Sequence, residues 1–495
     1  MNSFHVTLRV PPEIFGVISS YLTEEDVFSA SQVCHHWRSI LISTPSLWTR
    51  ISCRRVPRTI VSLGRCKSLP IRLRIESPLP TAALENILLL GNKVASLTVT
   101  REPDQIPLLD QLLIFSRPSV EQLHIYSERM IGWRAGEEAV HNVWQDLPSL
   151  RELSVCRYSI PIEQLAAPSL VHLALENTGA NRNVMVRSVL DMLHGCPLLE
   201  TLLIIYSSVW GGTTHDHSPV RLQSLRSLEL GPYEVHSELT TYLQFPPGIA
   251  VGLREMPLPD IHGDTPPGVM ATIQHVLGRI GLRCITLAVP PRSKPGSELL
   301  IRFDGLEGSL EMAARGVFPG GVQNILSSPR GVLFSSSPPI EDVRELHIIG
   351  CSFGDGQMFH HIYAAMPNLT SISFFHCKGR NLLGLLCSTR YSSPPFPHLE
   401  RIMILGSTSG LKDIARRRRD YNVPLRTLVI GRGPMEFGHN HLDGDAELGG
   451  LVNGLHIGCP TEVLEWETRN EILNIWSATG VPGSVSPNEY LEILG

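Results

Sequence analysis

The chain has 495 residues, more than one ordinary core holds at roughly 150 residues per domain, so its length calls for about three domains or a stacked repeat array. With 42% hydrophobic and 18% charged residues it has the composition of a folded protein, which excludes extensive disorder. A formal net charge of −5 without a sustained basic face argues against nucleic acid as the main partner, and no stretch approaches the ~20 apolar residues that cross a bilayer.

The first residues, MNSFHVTLRVPPEIF, contain no continuous apolar run of the kind that directs export, so neither export nor a membrane span is expected. Ten cysteines are scattered over the full length without a Cys-x-x-Cys pair. Cys34, Cys156 and Cys284 sit inside apolar runs, where a thiol acts as a small hydrophobe. That usage fits a reducing compartment, the cytoplasm or the nucleus or both.

Three short helices are expected at the N-terminus. Pro11 and Pro12 precede Glu13, placing proline and a carboxylate where a first helical turn favours them. Ile14, Ile18 and Leu22 then recur every fourth position, with Phe15 widening the stripe. Thr23-Glu24-Glu25-Asp26 is a capping-box-like start for a second helix. Val33, Trp37, Ile40 and Leu41 mark one face of a third, which Pro45 ends. So small a bundle hides only part of its apolar surface, and the rest calls for a partner.

The run Val10-Pro11-Pro12-Glu13-Ile14-Phe15, the pair Tyr21-Leu22, then Asp26-Val27, Val33-Cys34, Trp37-Arg38 and Pro45-Ser46-Leu47-Trp48 resemble the F-box in order and spacing over residues 10–48. Val10 departs from the leucine usual in that family. The resemblance implies that Pro11, Glu13, Ile14, Leu22, Val33, Cys34, Trp37 and Trp48 lie at or just behind the surface that docks a Skp-family adaptor. It further implies a non-catalytic, substrate-recognition subunit of a Skp–cullin–F-box ubiquitin ligase, with the chemistry on other subunits. On this reading residues 1–51 are the F-box and 52–69 a linking segment.

Past residue 70 the chain repeats apolar-x-x-apolar-x-apolar, beginning at Val94, Val120, Leu150, Leu170, Leu199, Leu225, Leu282, Val343, Leu369, Leu399, Leu425 and, more weakly, Val452. Most steps are 20 to 30 residues, and two, of 57 and 61, are near doublings. The period resembles that of leucine-rich repeats. Helix-like segments at 184–194, 269–280 and 357–366 lie between the strand signals, and Pro148, Pro197, Pro367, Pro397 and Pro424 punctuate the return to the next strand. At the Asn or Cys position of the repeat, Cys351 and Cys377 match, while Ser207, Thr178 and Ser407 are substitutes.

The expected fold is therefore α/β: an N-terminal three-helix F-box, then an irregular leucine-rich-repeat-like solenoid over 70–460, with 461–495 as a cap or tail. Residues 246–268 and 289–342, rich in Gly, Pro and Ser, are expected to be loops or insertions. The whole resembles a fungal-type F-box protein whose array binds an unidentified target protein.

Other chemistry is weaker in the sequence. Gly350-Cys351-Ser352-Phe353-Gly354 fits a nucleophile elbow, which makes a serine hydrolase using Ser352 one alternative, but every repeat also runs strand, turn, helix. A scaffold outside ubiquitination is another. His215-Asp216-His217 and His439-Asn440-His441, the latter near Asp443 and Asp445, lack the wide paired spacing of structural zinc sites and read as polar turns. Arg416 to Arg419 form the one dense basic run, placed where cations suit a helix C-terminus. No phosphate-binding or dinucleotide motif occurs, so no cofactor, catalytic residue or metal is expected.

Overall fold

The computed structural model describes residues 21–76, 93–100, 119–131, 147–158, 167–178, 184–205, 209–210, 218–231, 237–246, 248–256, 282–288, 297–306, 308–317, 340–349, 366–375, 396–405, 411–431 and 442–458, with isolated positions between them including Pro11, Ile14, Val17 and Ile18. It is a mixed α/β structure with a large, mostly parallel set of strands and few helices, and it divides into two compact units, Met1–Pro246 and Pro247–Gly495. Among the described residues no helix is long and apolar enough to cross a membrane.

In the first unit, helices α1 (Glu24–Ala30), α2 (His35–Ser43) and α3 (Val56–Arg65) surround the start of a ladder. Its strands are β1 (Arg50–Ser52), β2 (Ile71–Ile75), β3 (Val94–Thr100), β4 (Gln122–Ile131), β5 (Glu152–Tyr158), β6 (His172–Glu176), β7 (Thr201–Ile205) and β8 (Ser227–Gly231). Each pairs in parallel with the next in chain order. Residues 52–69, read as a linking segment, are structured: they contain α3, reached directly after β1. The apolar residues of α3 mislead, because it buries Thr59, Ser62 and Leu63 and turns Ile60 and Val61 outward.

The apolar repeat is the core of this ladder. Leu153, Leu173, Leu202 and Leu228 are register partners, as are Val155, Leu175, Ile204 and Leu230, and all are buried. Burying each such side chain is worth about 1.5–3 kcal/mol, which fixes the register because a one-residue slip would turn the whole column to solvent.

In several repeats the opening residue closes a tight turn. Leu150, Leu170, Leu199, Leu369 and Leu399 each donate their N–H to the carbonyl three residues earlier, at 3.0–3.3 Å. Pro148, Pro168, Pro197, Pro367 and Pro397 occupy the second turn position, where the fixed φ of proline is already correct. The next N–H crosses to the preceding strand, as Glu400 N–H does to Thr370 O at 2.8 Å.

The second unit holds β9 (Ile249–Met256), β10 (Leu282–Ala288), β11 (Ser297–Gly305), β12 (Gly308–Val317), β13 (Glu345–Ile349), β14 (Ser371–Phe375), β15 (Arg401–Leu405), β16 (Thr427–Gly431) and β17 (Gly454–Gly458). From β10 through β13 to β17 the pairing is parallel, but β10, β11 and β12 are antiparallel neighbours, and β12 pairs in parallel with β9. Of the loops or insertions expected at 246–268 and 289–342, the loop reading is corrected in part, since β9 lies in the first stretch and β11 and β12 in the second. Their apolar residues alternate simply, as Ile249, Val251 and Leu253 do, so the three-spaced pattern passes over them. Gly308 starts β12 at φ +137°, where a Cβ would meet Ile249 O.

Described helices cross between adjacent parallel strands in four places: α3 between β1 and β2, α4 (Val186–His194) between β6 and β7, α6 (Leu411–Asp420) between β15 and β16, and α7 (Leu442–Leu451) between β16 and β17, while α5 (Ser237–Tyr242) follows β8. Parallel neighbours need such crossovers. Helix α6 ends in a Schellman arrangement: Asn422 lies at φ +57°, its N–H reaches Arg419 O, and Val423 N–H reaches Arg418 O, both at 2.9 Å. The helix-like segment 357–366, apart from Met366, most of 269–280 and the tail 461–495 lie outside the described residues.

Candidate functional site

The N-terminal bundle is built on caps and one aromatic core. Thr23 Oγ1 accepts the Asp26 N–H at 3.3 Å and Asp26 Oδ2 accepts the Thr23 N–H at 3.2 Å, a complete capping box, with Glu24, Glu25 and Asp26 at the positive end of α1. Cys34 caps α2 with its sulfur, 3.4 Å from the Trp37 N. Val27, Ala30, Ile40, Leu41 and Trp48 are buried. Phe28 meets Trp48 edge-on at 5.1 Å, Arg58 lies over Phe28 and Arg65 lies 4.2 Å over Trp48. Glu24 Oε2 accepts the Ser52 N–H at 2.6 Å and Oε1 accepts the Ser62 hydroxyl at 3.4 Å, tying α1 to β1 and α3. Burial raises the Glu24 carboxyl above its ordinary value even so.

Against this core stands an outward apolar set. Ile14, Val17 and Ile18 are helical, and with Tyr21 they recur at i, i+3, i+4 and i+7, one face of a helix. Yet they are 53%, 61%, 52% and 84% exposed, and Val33, between α1 and α2, is 63% exposed. An amphipathic stripe normally faces a core; this one faces solvent, and apolar residues gathered in that way mark an interaction surface.

The residues singled out from the sequence fall into three groups. Pro11, Ile14 and Val33 are exposed. Leu22, Cys34 and Trp37 are half-buried, Cys34 serving as the cap. Trp48 is buried behind them, its indole N–H donated to Leu41 O at 2.8 Å. Glu13 lies outside the described residues. Sequence reasoning left Val17, Ile18, Tyr21 and Ile42 out of the site, although the i, i+3, i+4, i+7 spacing was available to find the first three.

Elsewhere the basic run is structural. Arg418 is buried and donates from Nη1 to Phe396 O at 3.1 Å and from Nη2 to Leu399 O at 2.8 Å; burial pushes its guanidinium down to about 10. Lys412 and Arg416 pair with Glu447 of α7 and hold its carboxyl below the ordinary value, and Arg419 reaches Gly450 O. Cys284, Glu345 and His347 bring possible ligand atoms within 4.8 Å of one another on β10 and β13. Glu345 is already engaged there: the hydrogen bond from His347 lowers its pKa, opposed by burial and aided by the charges of His347 and Arg401. The Gly350–Gly354 motif, His215 to His217 and His439 to His441 lie outside the described residues, as do Cys351, Cys377, Ser207 and Ser407.

A family model described as F-box-like matches residues 7–54, the segment that carries the outward apolar set. Residues 7–54 form an F-box-like domain. Among solved structures, a chain of the "Crystal structure of Rad7 and Elc1 complex in yeast" is similar at 13% identity, covering 74% of this chain and 87% of that one, with a TM-score of 0.34 that establishes no common fold. No curated protein sequence matches the chain. The F-box-like domain also includes β1, so it runs without a break into the ladder.

Proposed function

We propose that this chain is the substrate-recognition subunit of a Skp–cullin–F-box ubiquitin ligase. The observation that carries the reading is the solvent-facing stripe of Ile14, Val17, Ile18 and Tyr21, with Val33, inside an F-box-like domain. Covering these side chains with a Skp-family adaptor removes apolar surface from water, at about 25 cal/mol per Å². The adaptor in turn links the chain to a cullin.

The remainder is read as a leucine-rich-repeat-like array, of irregular type, that binds a target protein. Its support is the register of the apolar columns and the repeated proline turn. Stacked units of this kind offer an extended face of outward strand residues. The chain then acts by proximity: holding a target beside a charged conjugating enzyme raises effective concentration and needs no catalytic residue of its own. The reading places the protein in the cytoplasm or nucleus, where such ligases work.

The test is co-purification of the full chain with a Skp-family adaptor. Val17→Asp with Ile18→Asp is expected to abolish it while the circular dichroism spectrum and thermal midpoint change little, because both residues are more than half exposed. Undiminished co-purification of that variant rejects the assigned face.

A further inference from the structure

The ladder begins with an unusual concentration of positive charge. A cleft of about 620 Å³ opens beside α1 and the first strands, and Arg50, Arg54, Arg55, Arg58, Arg72 and Arg74 line it. The alternation Ile71-Arg72-Leu73-Arg74-Ile75 explains two of them, since the isoleucines and leucine are buried and both arginines stand outward. Arg50 is the register partner of Arg72 on the neighbouring strand, which puts two like charges side by side.

Three carboxylates line the same cleft, and each is committed. Glu76 pairs with both Arg54 and Arg74, Glu25 lies 4.0 Å from Arg58, and Glu24 turns inward to Ser52 and Ser62. Arg50, Arg55 and Arg72 are exposed and, among the described residues, form no ion pair. Like charges directly across a strand pair destabilise it, so the pair Arg50 and Arg72 costs stability unless an anion lies over it. Half-buried Thr98 borders the cleft and adds a neutral donor. Farther along, the outward face carries a carboxylate, Glu152, which accepts from Gln122 Nε2 at 3.0 Å, so the row of arginines is bounded.

We propose that this cleft docks an acidic, carboxylate-rich segment of the target protein, laid across β1 and β2 against Arg50, Arg72 and Arg55. The inference rests on the reading of the outward strand face as the target platform. The cations form a row along two strands and past the end of β1 instead of converging on one point, which suits several carboxylates in succession better than a single dianion. Glu76 already illustrates the geometry, one carboxylate bridging two guanidinium groups. The chain as a whole carries −5, so attraction of an acidic peptide has to come from a local site and not from the overall field.

The experiment is a fluorescence-anisotropy titration of the full chain with labelled hexaglutamate, hexalysine and an otherwise uncharged peptide bearing one phosphoserine. Hexaglutamate is expected to bind and to weaken with salt, hexalysine not to bind. Arg50→Glu with Arg72→Glu should weaken hexaglutamate at least about tenfold, equivalent to 1.4 kcal/mol, and the milder double alanine variant should weaken it less. Arg187→Glu, on the exposed surface of α4, should leave it unchanged. Absence of hexaglutamate binding, equal binding by the charge-reversed variant, or tighter binding of the phosphoserine peptide overturns the proposal. Adaptor co-purification is measured on the same proteins. Loss of adaptor binding by the unaltered chain with hexaglutamate binding intact sinks the ligase reading and upholds the acidic-segment site, whereas adaptor binding without hexaglutamate binding does the reverse.

Discussion

Trp48 donates its indole N–H to the carbonyl of Leu41 at 2.8 Å, across the turn that ends α2. The contact separates two kinds of residue within one short motif: Trp48 holds the bundle together, and Val33 and the 14–21 stripe present its surface.

Trp48→Ala therefore costs about 3–5 kcal/mol through the cavity it leaves and the lost indole hydrogen bond to Leu41 O. Val33→Asp, at an exposed position, stays within about 0.5 kcal/mol. Urea unfolding of the full chain followed by tryptophan fluorescence should report an early transition for the first variant only, while adaptor binding is lost in both.

Arg418 makes a second separation. Replacing it with methionine keeps the apolar stem but removes both guanidinium hydrogen bonds, leaving the Phe396 carbonyl with the Leu399 N–H, a loss of about 3 kcal/mol. Lysine recovers little, since one ammonium cannot span two carbonyls as a planar guanidinium does. Thermal unfolding of both variants measures this, and adaptor co-purification should remain normal in each.

Cysteine chemistry gives a pH-dependent outcome. Burial pushes the Cys53 thiol up to about 12 and the Cys196 thiol up to about 11. At pH 8 only about one part in ten thousand of Cys53 is thiolate, the reactive form, so a short iodoacetamide pulse followed by peptide mass mapping should leave it unmodified in the native chain. Cys53 ionises near 12 when folded and near 9 when unfolded, so the unfolded chain releases its proton first; this contribution to stability is complete below about pH 9 and is lost as pH rises toward 12.

Where burial and sequence pattern coincide, the fold was legible. The repeats from Val94 to Leu425 appear as strands because their second and third apolar residues are the buried column, and Thr23 appears as a cap because Asp26 is three residues on. The weaker copy at Val452 is an end strand, with Leu455 and Ile457 only half-buried. Other features depend on partners far away in sequence. Helix α3 buries Thr59 and Ser62 because Ser52 and Glu24 receive their hydroxyls, and no local pattern announces that. In the sequence Arg418 is one of four cations at a helix C-terminus, and its burial depends on the distant turn at Phe396. Of the site, the helices and their order were readable; which apolar face remains in water was not, since helical spacing is the same for a stripe turned inward or outward.

The central claim is that the stripe of Ile14, Val17, Ile18 and Tyr21 is covered by a Skp-family adaptor. The most direct measurement is size-exclusion chromatography with multi-angle light scattering of the full chain mixed with that adaptor at micromolar concentrations. A single species with the summed mass of the two chains is the predicted result; two species eluting separately at their own masses would contradict the account.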